Sequence, residues 1–199
     1  MSRTATIERS TGETSVAITL DLDGSGGGER TTGVGFFDHL LDLLARHAGF
    51  DLAVRVQGDL ETGSHHTVED TGLVLGQALF QALGDRVGIR RYGSATIPMD
   101  EARAAAHVDL SGRPFVVYDD RGLLAPGVTG GFEHELLEEL VRAIASTSRS
   151  TIHLEIERGR GAHHVIEAGI KALARALRVA VSIDPTESGV PSTKGTLTA

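Results

Sequence analysis

The chain carries one histidine/carboxylate pattern twice, as His65-His66-Thr67-Val68-Glu69 and as His163-His164-Val165-Ile166-Glu167. Imidazole nitrogen and carboxylate oxygen at these spacings are metal-ligand chemistry, because on a helix the glutamate shares a face with the histidine three or four positions before it. The two neighbouring imidazoles of each motif point roughly 100° apart on a helix of about 3.6 residues per turn, so one ion rarely captures both. The economical arrangement gives each ion ligands from both motifs, as equivalent half-sites of a two-metal centre. A single HHxxE could be chance or a pair of buried histidines. A duplicate opening an apolar-periodic helix in each half favours the metal.

The repeat supplies a further pair, since His39 in the first half aligns with Glu139 in the second. Together with His65, His66, Glu69, His163, His164 and Glu167 they provide four protein ligands for each of two ions. An octahedral ion then keeps two open positions for water or substrate. Nitrogen and oxygen ligands without sulfur suit Mn²⁺, Fe²⁺, Co²⁺ or Ni²⁺ better than closed tetrahedral zinc.

These side chains need elements to hold them, and the duplication runs through those elements too. Phe36 to Leu41 aligns with Leu136 to Val141, Leu52 to Val56 with Ile152 to Ile156, and Glu13 to Gly24 with Glu101 to Gly112. Val16, Ile18, Leu20 and Leu22 alternate with other residues, as do Leu52, Val54 and Val56, then Val108 and Leu110, then Ile152, Leu154 and Ile156, which is half-buried strand patterning. Val68, Leu75, Leu79 and Leu83, and Ile166, Ile170, Leu173, Leu177 and Val181, keep helical spacing. Helices over 36–47 and 134–146 precede the central strands. Each half therefore reads strand, helix, strand, loop, helix. The expected architecture is α+β, two fused β-α-β-α repeats with sheets packed against helices, the repeats covering 1–93 and 94–184 of one compact domain. The remaining 185–199 contains little that is apolar and reads as a flexible tail, in which Pro191-Ser192-Thr193-Lys194-Gly195 suggests a lid ordered by ligand.

Composition narrows the function classes. A chain of 199 residues, 40% hydrophobic and 23% charged, buries a substantial core. It has no cysteine, which excludes disulfides and thiolate ligation, and neither a long apolar run nor an apolar leader, which points to a cytoplasmic protein. A formal charge of −8 argues against nucleic-acid partners and requires any anion site to be local. His107, His134 and His153 lack a partner pattern and read as structural, and Gly24-Ser25-Gly26-Gly27-Gly28 lacks a phosphate-loop signature and reads as a flexible hairpin.

Seven segments in order carry a resemblance: Gly35-Phe36-Phe37-Asp38-His39-Leu40-Leu41, His65 to Asp70, Gly88 to Gly93, Pro98-Met99-Asp100-Glu101, Asp109-Leu110-Ser111-Gly112-Arg113-Pro114, His163 to Glu167 with Lys171-Ala172, and Val190 to Gly195. Over nearly the whole chain the sequence resembles the imidazoleglycerol-phosphate dehydratases of histidine biosynthesis. The resemblance implies a duplicated fold like the second domain of ribosomal protein S5. It also implies two Mn²⁺ per active site at subunit boundaries of a homo-oligomer of about 24 subunits built from trimers. The implied reaction converts D-erythro-imidazoleglycerol phosphate to imidazole-acetol phosphate.

The proton lost from this substrate is not next to a carbonyl, so the ring must supply the electrons. Metal binding at both ring nitrogens would make it an imidazolate that expels the adjacent hydroxyl. By resemblance Glu13 is the acid/base residue, with Glu69 and Glu167 as catalytic metal carboxylates. Arg91, Arg113, Lys171, Ser192 and Lys194 match phosphate- and substrate-binding positions, and His47 falls at a family-like position. The sequence departs from the family at Glu139, where many relatives have histidine, at Leu140-Val141, Gly161 and Ile170, and through 119–131, changes that bear on metal preference and subunit packing. Two rival functions remain, a non-catalytic metal-binding assembly and a metal-dependent phospho-hydrolase on the same fold. The first has no use for a phosphate clamp, and the second would release inorganic phosphate.

Overall fold

A computed structural model describes residues 2–197; Met1, Thr198 and Ala199, the last two belonging to the expected tail, lie outside the described residues. The first half runs β1 (Thr4–Ser10), β2 (Thr14–Asp21), β3 (Arg30–Thr31), α1 (Gly35–Ala48), β4 (Asp51–Gly58) and α2 (His65–Leu83). The second repeats it as β5 (Tyr92–Met99), β6 (Ala102–Asp109), β7 (Phe115–Asp119), α3 (Leu136–Ser148), β10 (Thr151–Arg158) and α4 (Ala162–Val181), with a small hairpin of β8 (Val128–Thr129) and β9 (Phe132–Glu133) inserted before α3. Part of this hairpin falls within 119–131, where the sequence departs from the family pattern. Its Phe132 is fully buried against Phe36 and Phe37 of α1.

The strands form two equivalent four-stranded sheets, ordered β1-β2-β4-β3 and β5-β6-β10-β7. In each the last-named strand is parallel to its neighbour and the others are antiparallel. The alternation seen in the sequence resolves into one buried face: Val16, Ile18 and Leu20 pair in register with Val56, Val54 and Leu52. Burying each such branched side chain contributes about 1.5–3 kcal/mol. Helices cover that face. α2 lies on the first sheet and against α3, α4 lies on the second sheet and against α1, and one continuous core joins both halves.

The repeat unit has two more strands than the sequence pattern suggests. β1 and β5 are edge strands whose inward positions are small or only partly buried, Ala5 and Gly93 buried and Ile7, Ile97 and Met99 partly so, and β3 is two residues long. The 24–28 segment is not a hairpin either, because β4 lies between the strands it joins. Asp51 accepts hydrogen bonds from Ser25 N–H (2.8 Å) and Gly27 N–H (2.7 Å), which hold this loop and lower the Asp51 pKa.

The tail is laid on the body as far as it is described. Gly88 N–H donates to Gly189 O (2.8 Å), Asp184 N–H to Gly88 O (2.8 Å), and Leu197 is buried. Composition hides this because one apolar plug and backbone hydrogen bonds do the anchoring.

The contact between α2 and α3 brings the halves together through Gly72 and Gly76. A Cβ on Gly76 would sit 2.1 Å from Thr147 Oγ1 and 2.5 Å from Ile144 O. Gly76→Ala is expected to destabilise the fold by about 1–3 kcal/mol through overpacking, visible as a lower denaturation midpoint; an unchanged midpoint would show that the helices part freely.

Candidate functional site

Both HHxxE motifs open helices, at the N-termini of α2 and α4. The neighbouring rings stand 86° apart in each pair, so the members of a pair face different partners. His163 turns toward α1. Its Nε2 and the Nε2 of His39 each lie 2.8 Å from the same atom, Oε1 of Glu167, while Lys171 Nζ donates to Oε2 at 2.7 Å. The ligand atoms of His39, His163 and Glu167 all fall within 4.8 Å of one another, and the group is assembled from both repeats. Phe36 backs it, with its ring centroid 4.8 Å from that of His163. Burial alone would raise the Glu167 pKa, but hydrogen bonds from Lys171, His39 and His163 outweigh it and hold the carboxyl at about 2.

His164 faces the other way. Its Nδ1–H donates to Glu101 Oε2 at 2.8 Å, and Asp100 Oδ2 lies 3.8 Å from its Nε2. The first repeat mirrors this: His66 Nδ1–H donates to Asp59 at 3.0 Å, and Glu13 Oε1 lies 3.8 Å from Nε2. Glu13 and the Asp100-Glu101 pair occupy the equivalent turns, between β1 and β2 and between β5 and β6. Asp59 N–H donates to the backbone O of Glu13 at 3.2 Å, which ties the two turns together. These contacts raise the pKa of His66 and His164, chiefly through the hydrogen bonds that they donate to Asp59 and Glu101, and hold Glu101 at about 2. A histidine bound through Nδ1 to a carboxylate presents Nε2 outward, the arrangement usual behind metal-ligating histidines.

The remaining ligand candidates are less gathered. His65 Nε2 lies 3.6 Å from Glu69 Oε2, with both side chains substantially exposed. Glu139, on α3, is half-buried, and among the described residues it is not part of a three-ligand group.

A second feature lies elsewhere. An open cleft of about 710 Å³ is lined by Arg91, Arg113, Ser192, Thr193 and Lys194 with Tyr92 beside them. Four of the five residues matched to phosphate or substrate binding thus share one cleft, and the fifth, Lys171, sits on Glu167 instead. Arg91 is largely engaged: Nε and Nη2 donate to Asp109 (2.7 and 3.1 Å) and Nη1 to Pro191 O (2.8 Å). It braces the tail beside the cleft, leaving Arg113, Ser192 and Lys194 as the outward donors.

Asp59, Asp100 and Glu101 were not singled out from spacing. Glu101 aligns with Glu13, which is a usable signal; Asp59 has none, because it meets His66 only through a turn. His134 is buried with Nδ1–H donating to Ala125 O (2.9 Å), and His107 Nδ1 lies 2.9 Å from Ser94 Oγ, so both are structural. His47 is half-buried, and its pKa is lowered by that burial and by Lys171 and Arg175.

Fold and site together define a class: two-repeat α+β proteins whose paired HHxxE helices present imidazoles and carboxylates, with a basic cleft built on the tail. The sequence profile of imidazoleglycerol-phosphate dehydratase matches residues 32–177. The dehydratase of Frankia casuarinae is 52% identical over 197 residues, covering 99% of this chain and 100% of the relative, and that of Salinispora tropica is 52% identical over 204 residues, covering 99% and 100%. The crystal structure of the Staphylococcus aureus enzyme superposes with a TM-score of 0.81 at 37% identity, covering 91% of this chain and 99% of that one. The Pyrococcus furiosus enzyme gives 0.81 at 35% identity, covering 96% and 100%. The chain belongs to the imidazoleglycerol-phosphate dehydratase family. Its reaction is a dehydration, a carbon–oxygen lyase step in histidine biosynthesis.

Proposed function

We propose that the dehydration depends on two Mn²⁺ per active site, held by His39, His65, His66, Glu69, Glu139, His163, His164 and Glu167, and that the complete site is shared between copies of the chain. The observation that carries this is the convergence of His39 and His163 on Glu167. The two rings present nitrogen ligands to one carboxylate from opposite repeats, and no thiolate competes, a donor set that fits Mn²⁺. The carboxylates behind His66 and His164 support the same assignment for those two rings.

Sharing between copies is supported by distance. Lys171 reaches Met99 Sδ (3.0 Å) at one end of β5, whereas Tyr92, at the other end, lines the cleft. Seven strand steps span about 23 Å, far more than a three-carbon side chain with its phosphate can bridge. A cleft from one copy must therefore face the histidines of another. The exposed His65 and Glu69 are free to join such a boundary, consistent with a homo-oligomer of about 24 subunits. The same reading places a small-molecule metabolic enzyme in the cytoplasm, with no nucleic acid or membrane as partner; no helix among the described residues is long and apolar enough to cross a membrane.

Bound divalent ions would supply acidity, lowering the pKa of the substrate's ring N–H so that the ring can release electrons toward the departing hydroxyl. The chain's own groups do the rest. Arg113, Ser192 and Lys194 hold the phosphate and fix the side chain. Glu13 takes the proton from the carbon next to the one that loses hydroxyl, and the resulting enol becomes the ketone.

Chelation is expected to abolish turnover, and Mn²⁺ to restore it, in an assay of imidazoleglycerol phosphate read for ketone and for inorganic phosphate. Ketone without phosphate release supports the mechanism. Full activity after complete metal removal, or stoichiometric phosphate release, would overturn it.

A further inference from the structure

Arg86 is the largest fully buried side chain in the molecule's described part, and it is a cation without an ion pair there. It lies in the turn after α2, in the left-handed region at φ 64°. Nη1 donates to Leu110 O (3.0 Å) and to Leu197 O (2.8 Å), and Nη2 donates to Ser148 O (3.1 Å). The guanidinium also stands 5.3 Å from the Phe80 ring centroid, and its Nε has no partner among the described residues. Burial lowers its pKa, with Arg149 adding to that effect.

A buried charge without a counter-ion is costly, and well-packed apolar side chains usually serve stability as well or better. Its three carbonyl partners suggest what it does. Leu110 begins the Leu110 to Arg113 segment that brings Arg113 to the cleft. Leu197 ends the 191–197 segment that brings Ser192 and Lys194 to the opposite wall. The two walls touch directly: a Cβ on Gly112 would sit 2.1 Å from Leu197 O. A planar fork with five donors can tie both walls to the end of α3 at fixed spacing, which neither an ammonium nor an apolar side chain can reproduce.

We propose that Arg86 is a positioning residue of the anion cleft, clamping its Arg113 wall to its Ser192–Lys194 wall through the carbonyls of Leu110 and Leu197. This rests on the reading of the cleft as a phosphate clamp.

The test compares the native oligomer with Arg86→Lys and Arg86→Met, using inorganic phosphate as the probe ligand by calorimetry and the substrate KM and kcat in parallel. Arg86→Met is expected to weaken phosphate binding about tenfold or more and to raise KM in step, with kcat changed less than about twofold; Arg86→Lys, keeping charge but not the fork, falls between. Gly112→Ala is the second variant: its Cβ would sit 2.1 Å from Leu197 O and 3.5 Å from Arg86 Nη1, so it parts the two walls while the guanidinium is kept, and it should weaken phosphate binding similarly. A merely structural arginine would lower the unfolding midpoint in both Arg86 variants and leave phosphate affinity and KM alone, and that result overturns the inference. Native protein that fails to bind phosphate at all overturns the cleft assignment and the inference with it.

Discussion

Glu13→Gln is expected to leave fold, oligomer size and metal content unchanged and to lower kcat by about 10²–10⁴-fold, the range for removal of a general acid/base. Glu13 is exposed in the turn before β2, outside the His39/His163/Glu167 cluster, and its side chain reaches within 3.8 Å of His66 Nε2. The amide keeps the shape, and the backbone bond from Asp59 to Glu13 O survives because it does not involve the side chain. What disappears is a carboxylate able to take up a proton beside His66. Elemental analysis, size measurement and kcat on the same preparation check the three parts together. Turnover within a few-fold of native would remove Glu13 from the mechanism, and loss of metal would make it a ligand.

Glu167→Gln is expected to lower turnover at least about a thousandfold and, unlike Glu13→Gln, to lower metal content as well. One oxygen of Glu167 collects both Nε2 atoms and the other accepts from Lys171, all in a buried position. An amide offers one neutral oxygen and turns an NH₂ toward donors. Either Lys171 loses its acceptor or the two imidazoles do, at a cost of about 1–3 kcal/mol to the metal-free fold. Native metal content in this variant would show that the cluster is an ion-paired scaffold only.

The helices that carry the HHxxE motifs were more legible than the edge strands beside them. The HHxxE helices begin where the motifs suggest, because their apolar spacing runs unbroken from Val68 to Leu83 and from Val165 to Val181. The repeat marked His39 as a candidate ligand through its alignment with Glu139, but did not show that it would join His163 and Glu167, a partnership made by the packing of α1 on α4. β1 and β5 escaped because an edge strand with one sheet neighbour shows little burial contrast. The tail escaped because Leu197 is a lone apolar residue and its anchor is an arginine more than a hundred residues away, a pairing that no periodicity encodes. Asp59 was illegible as a histidine partner for a related reason, being placed by a turn, whereas Glu101 carried a signal in its alignment with Glu13. Glu139 is a point where the two halves differ: its counterpart His39 sits in a cluster, while Glu139 is half-buried on α3 and, among the described residues, belongs to no three-ligand group.

The central claim is a pair of ions per site, and the most direct measurement is the metal content of fully active, Mn²⁺-reconstituted enzyme after removal of loose metal. Each chain carries one full set of the proposed ligands, however the copies share them, so the expected value is two Mn²⁺ per chain at maximal kcat. One ion per chain at maximal kcat would contradict the account.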